Sequence, residues 1–167
     1  MLVKESENIP IRNYYSPGYS YVKLSYYKSF LVFTFVPFEY TKKNGKDIYS
    51  KKVFLSTSLD VEGAESLQKL ALPIIKDGNE GNQMDVTLSC KNNASLTFMY
   101  KPDEENIMSV YLVIDKNNET IPFKFKARIE QVKVGDNWVT RIVHITLIEF
   151  VQILEEYIAG ETKPMYY

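Results

Sequence analysis

The sequence predicts an α+β protein in which two antiparallel sheets are each followed by a helix. Three observations predict it. Residues 142–160 carry an amphipathic helix marked at both ends, residues 60–75 repeat its plan 86 positions earlier, and strand-like segments joined by short turns precede each copy. In the later copy Thr146, followed three residues on by Glu149, is a capping box: hydroxyl and carboxylate each satisfy a backbone N–H left free at the helix start, and Ile145 is placed to staple onto Phe150. Phe150, Ile153, Leu154, Tyr157 and Ile158 make one apolar face, Gln152, Glu155 and Glu156 turn away, and Gly160 ends the helix. In the earlier copy Asp60 stands where Thr146 does, Ala64 where Phe150 does, Leu67 where Ile153 does and Ala71 where Tyr157 does.

In chain order, residues 1–18 read as a flexible arm broken by Pro10, Pro17 and Gly18, and a single domain follows over 19–160. In Tyr21 to Tyr27 alternation sends Val22, Leu24 and Tyr26 to one face and Tyr21, Lys23, Ser25 and Tyr27 to the other. Phe30 to Val36 is a strand apolar on both faces, ended by Pro37; Asn44-Gly45 turns, and Ile48 to Ser56 is extended again. The first helix ends near Pro73 or shortly after. Asp77 to Asn82 then divides the two repeats, about 19–76 and 83–160.

In the second half Met84 to Cys90 alternates, Asn92-Asn93 turns, Ser95 to Tyr100 returns, and Asp103-Glu104-Glu105 lies in a solvated loop. Ser109 to Ile114 is followed by a turn at Asn117-Asn118 and by Ile121 to Val134, which is long enough to bend or divide. Trp138 to Val143 leads to the last helix, and residues 161–167 form a tail. Short turns between successive strands require antiparallel pairing.

The totals narrow the function. Cys90 is alone, so neither a disulfide nor a cysteine-based zinc site is expected. No signal-peptide pattern opens the chain, and the apolar run Phe30 to Phe38 is too short to span a bilayer, so a soluble cytoplasmic protein without membrane association is expected. A net charge of −1 argues against nucleic-acid binding through bulk positive charge but leaves a locally basic surface open. His144 is the only histidine, at a strand-to-helix junction that suits packing or capping better than general-base work. With no glycine-rich phosphate loop, no nucleophile elbow and no His/Cys cluster, neither catalysis, cofactor nor metal is expected.

The chain resembles the Whirly family of single-stranded DNA-binding proteins. Phe30 to Val36 with Pro37 resembles that family's apolar strand ending in proline, Tyr49-Ser50-Lys51-Lys52-Val53-Phe54-Leu55-Ser56 its aromatic and basic strand, and Asp60 to Leu67 its glycine-bearing first helix. Ile145 to Phe150 is similar to the way that family begins its last helix. The family's Lys-Gly-Lys-Ala-Ala-Leu motif is absent, with Tyr21 to Tyr26 in its place and only Lys23 matching. A remote bacterial or phage relative fits better than a plant organellar one. The resemblance implies two four-stranded sheets in a repeated ββββα order, a homo-oligomer such as a tetramer, and a role in DNA replication, recombination or repair.

Independent binding of single strands needs π-faces for stacking and cations along the backbone path. In Phe123 to Ile129 the even positions are Lys124, Lys126 and Arg128, a row at roughly 7 Å spacing if one strand carries them. Lys23 with Tyr27, and Tyr49 with Lys51, mix stacking and charge on one face. Trp138 is either a stacking platform or a core residue, and Arg141, three positions on, faces the other side. These nine residues are the candidate nucleic-acid contacts. A lysine row also serves solubility and edge protection, so an RNA binder of the same fold and a structural or protein-interaction module remain alternatives.

Overall fold

The computed structural model describes residues 9–16, 20–43, 46–51, 54–77 and 82–160, with side chains described at all of these except 9, 15, 16, 38–51 and 77. It is an α+β protein with two antiparallel sheets and two helices. The first sheet contains β1 (Ile9–Ser16), β2 (Ser20–Tyr27), β3 (Phe30–Lys43), β4 (Lys46–Lys51) and β5 (Leu55–Leu59). Its five strands occupy four ranks, because β4 and β5 lie end to end along β3. Phe38 stands opposite Lys51 and Phe35 opposite Leu55, so the fourth rank carries one more residue than β3 over that span. Helix α1 (Val61–Asp77) follows.

The second sheet runs β6 (Met84–Ser89), β7 (Ala94–Pro102), β8 (Met108–Lys116) and β9 (Glu119–Lys124) in order. Asn92 and Asn93, and Asn117 and Asn118, all have positive φ, which two-residue type I′ turns require. A separate two-stranded ribbon, β10 (Arg128–Val134) and β11 (Asn137–Val143), intervenes before helix α2 (Ile145–Ile158).

Alternation builds one shared core. Leu24, Leu31, Phe33 and Phe35 from the first sheet and Leu96, Phe98, Leu112 and Phe123 from the second point inward, onto Ala64, Leu67, Ala71 and Ile74 of α1 and Leu147, Phe150 and Leu154 of α2. Phe150 stands at the centre, 6.0 Å from the Phe33 ring and 5.2 Å from that of Phe125. A Cβ at Gly63 would lie 2.9 Å from Leu59, so a glycine there lets α1 close onto the strand before it. The Tyr157 hydroxyl donates to the Ser29 carbonyl at 2.6 Å and lies 3.2 Å from that of Leu59, fastening the end of α2 to the β2–β3 turn.

Three sequence expectations change. The expected arm includes β1, which pairs along β2, buries Ile11 and Tyr14 and joins α2 through Arg12–Glu149 at 2.9 Å. Pro37 does not end its strand: β3 runs through it to Lys43, with Pro37 paired opposite Ser20. The capping box does not form: His144 occupies the N-cap, no side chain caps α2, and the Thr146 N–H instead donates to the Lys126 carbonyl. Asp60 does cap α1, accepting from the Gly63 N–H at 2.9 Å. As its length suggests, Ile121 to Val134 divides, at Phe125–Ala127, where Phe125 turns into the core and its N–H bonds the Val110 carbonyl. The expected arm's residues 1–8 and 17–18, the Asn44-Gly45 turn, the middle of the Asp77–Asn82 divider and the 161–167 tail lie outside the described residues.

Candidate nucleic-acid interface

The ribbon supplies the most open aromatic surface. Gly135 takes φ +62° at the first of two loop positions, as a type II′ hairpin needs, and sets the register Lys133↔Trp138, Gln131↔Thr140, Ile129↔Ile142. These pairs share one face. Trp138 is 67% exposed, with Lys133 directly across from it. On the opposite face Glu130 lies between two arginines: Arg141 donates to it at 2.8 Å and Arg128 also pairs with it. The bond from Arg141, then that from Arg128, holds the Glu130 carboxyl below its usual range. Two guanidinium groups on one carboxylate leave that face net positive.

The cation row is therefore split. Lys124, at the end of β9, donates to Asp103 at 2.8 Å, and Asp103 also accepts from the Ile107 and Glu105 N–H groups, each at 2.9 Å. The Lys124 bond, then the Ile107 N–H, lowers the Asp103 carboxyl to about 2. Asp103 is thus the organiser of the β7–β8 loop rather than one member of a hydrated charge run. Lys126 lies exposed in the break after β9, and Arg128 opens β10. Lys126, Arg128, Trp138 and Arg141 consequently lie on the ribbon and its root, with Trp138 near the tip on one face and the two arginines on the other, while Lys124 stays with the second sheet.

Lys23 and Tyr27 do share the outer face of β2, but four strand positions separate them by about 13 Å. Lys23 sits between Asn13 and Thr34 on the neighbouring strands. Tyr27 pairs with Phe30 across the β2–β3 turn, where the Lys28 ammonium lies 5.4 Å from the Tyr27 ring and that of Lys91 lies 3.6 Å from the Phe30 ring. Tyr49 and Lys51 belong to β4, opposite Tyr40 and Phe38, and their side chains lie outside the described residues.

Sequence reasoning missed Lys133, which only the hairpin register places beside Trp138. It also missed Lys91, which reaches Phe30 from a distant turn and leaves no local signal. His144 is buried, edge-on to Tyr100 at 5.8 Å, and desolvation lowers its pKa, in keeping with a packing residue. Among the described residues no group of His, Cys, Asp and Glu could hold a metal ion, and no helix is long and apolar enough to cross a membrane.

Fold and ribbon define a class: an α+β chain of two antiparallel four-rank sheets, each followed by a helix, from which a basic, tryptophan-bearing hairpin stands clear of the core. No family model matches the chain, and no curated protein or solved structure does either.

Proposed function

We propose that the chain is a non-enzymatic single-stranded DNA-binding protein on a Whirly-like repeat of four strands and a helix, acting as a homo-oligomer, such as a tetramer, in replication, recombination or repair. Trp138 carries the reading: its indole is 67% exposed on a strand whose cross-strand neighbour is a lysine. An indole left in water contributes little to folding, yet it offers a π-face to an unpaired base, while Lys133 and the cations of the ribbon root supply phosphate contacts. Base–aromatic stacking contributes about 1–3 kcal/mol per base and tolerates any sequence. A few such contacts outweigh the repulsion of a chain whose net charge is only −1.

The test is fluorescence anisotropy with a labelled oligo-dT of about 30 nucleotides, compared with duplex DNA and oligo-U, at low and moderate salt. Salt-sensitive binding selective for oligo-dT supports the proposal. Preference for oligo-U moves it to RNA, and no binding to any of them removes it. A second reading, a protein-interaction module, is favoured by the exposed Ile129, Val134 and Val139 on the same ribbon. An apolar protein interface would persist as salt rises, whereas phosphate contacts weaken steeply.

A further inference from the structure

At the foot of the ribbon is a cleft of about 620 Å³ that none of the nine candidate contacts except Arg141 touches. The end of α1, β7, the start of β8, the last residues of β11 and the first turn of α2 enclose it. Its volume falls within the range of about 300–1,000 Å³ that suits small ligands. Three features give it a chemical character.

Its walls mix apolar and polar surface, with Ile75, Met108 and Ile148 beside Tyr100 and the His144 ring. Lys76 and Arg141, both exposed, line it as well; Arg141 is shared with Glu130 at 2.8 Å, and none of the described lining residues is acidic. The third feature is an unmet polar group: His144 is 3% exposed, and its Nδ1 is buried without a hydrogen-bond partner among the described residues. Burial holds the imidazole neutral near pH 7, so it offers one N–H and one acceptor nitrogen. A planar heterocycle carrying an anionic group matches all three: flat apolar contact, a hydrogen-bonding edge and two cations. Arg141 also continues into the ribbon, three strand positions or about 10 Å from Trp138.

We infer that this cleft takes one nucleotide of a bound strand, its base turned in against Tyr100 and His144 and its phosphate held by Lys76 and Arg141. The inference rests on the nucleic-acid reading above and adds a subsite to it. Stacking on Trp138 alone is indifferent to which base it meets. A half-open cleft lined by an imidazole with an unmet nitrogen is not, so it introduces a preference for one base along an otherwise sequence-tolerant path.

His144 is the only histidine, so its imidazole proton gives one resolved NMR signal to follow. The full chain is titrated with thymidine 5′-monophosphate and adenosine 5′-monophosphate, alongside oligo-dT anisotropy on the same preparation. The expected result is a saturable shift of the His144 signal with at least one nucleotide, weakened several-fold by Lys76→Gln, a surface change that leaves the core intact. An unmoved signal while oligo-dT still binds overturns the subsite and leaves the strand-binding reading standing. An unmoved signal with no oligo-dT binding removes both. A shift reproduced in full by inorganic phosphate overturns the base-binding half of the inference.

Discussion

The two-sheet body and the ribbon use the same strand alternation to opposite ends. In β7, Ala94, Leu96, Phe98 and Tyr100 are buried in turn, and the residues between them face outward. In the ribbon neither face reaches the core: Ile129 is 53% exposed on one side and Val134 61% on the other, with Trp138 on the first and Val139 on the second. A two-stranded ribbon is marginal by itself, so apolar side chains placed there do little for folding. The buried aromatic residues of the body are structural by position, whereas Trp138 on the ribbon is exposed, as is Phe54 just before β5. The β2–β3 turn is intermediate, because lysines already lie over its rings.

Substitutions in the two regions should separate stability from binding. The largest effect belongs to the body. Phe150→Asp places a carboxylate where the ring contacts Phe33 and Phe125. Loss of a buried Phe alone costs about 3–5 kcal/mol, a large part of a domain's whole stability. Aggregated or unfolded protein is expected by size-exclusion chromatography and thermal melting; a native profile would deny Phe150 its central place.

On the ribbon, changing Lys126, Arg128, Lys133 and Arg141 together to Ser should leave the melting temperature near wild type. If each contacts one phosphate, the slope of log affinity against log salt should flatten by about 3. An unchanged slope would move the phosphate path elsewhere. Trp138→Ala should weaken oligo-dT binding roughly 5- to 150-fold, the equivalent of one stacked base, again with native melting. A drop in melting temperature without loss of binding would make Trp138 structural and erase the contrast between the regions.

The next effect is pH-dependent and lies in the body. The Asp103 carboxyl is lowered from 3.8 to about 2 in the folded chain, so its stabilising contribution is complete above the unfolded value and is lost as pH falls toward 2. Asp103→Asn should reduce stability at neutral pH and flatten the acid limb of the stability profile across that window, as read by denaturant midpoints. An identical acid limb in the variant would mean that other carboxylates govern it. The smallest effect is expected at the β2–β3 turn. Lys28→Ala should cost about 0.5–1 kcal/mol of stability and change oligo-dT affinity less than Trp138→Ala does.

Much of the fold was legible because period and turn chemistry are local. The 86-residue offset correctly pairs buried positions, Ala64 with Phe150, Leu67 with Ile153 and Ala71 with Tyr157. It fails at the helix starts. Asp60 caps α1, but the Thr146 N–H is taken by a carbonyl from the strand break, so the same spacing does not produce the same cap. The lysine row was misleading for a related reason: alternation assumes an unbroken strand, and the core's demand for Phe125 breaks it. Trp138 was visible but ambiguous, since exposure depends on whether a third strand covers the ribbon. None does among the described residues.

The ribbon's root also determines how force would enter the molecule. The segment leading into β10 is pinned twice, by the Phe125 N–H on the Val110 carbonyl of β8 and by the Thr146 N–H on the Lys126 carbonyl, while β11 runs through His144 straight into α2. A force applied to the hairpin would therefore load the second sheet and the first turn of α2 directly. The hairpin is tied to the body at both of its strands, so a load on it would pass to the body instead of being absorbed by a slack connection.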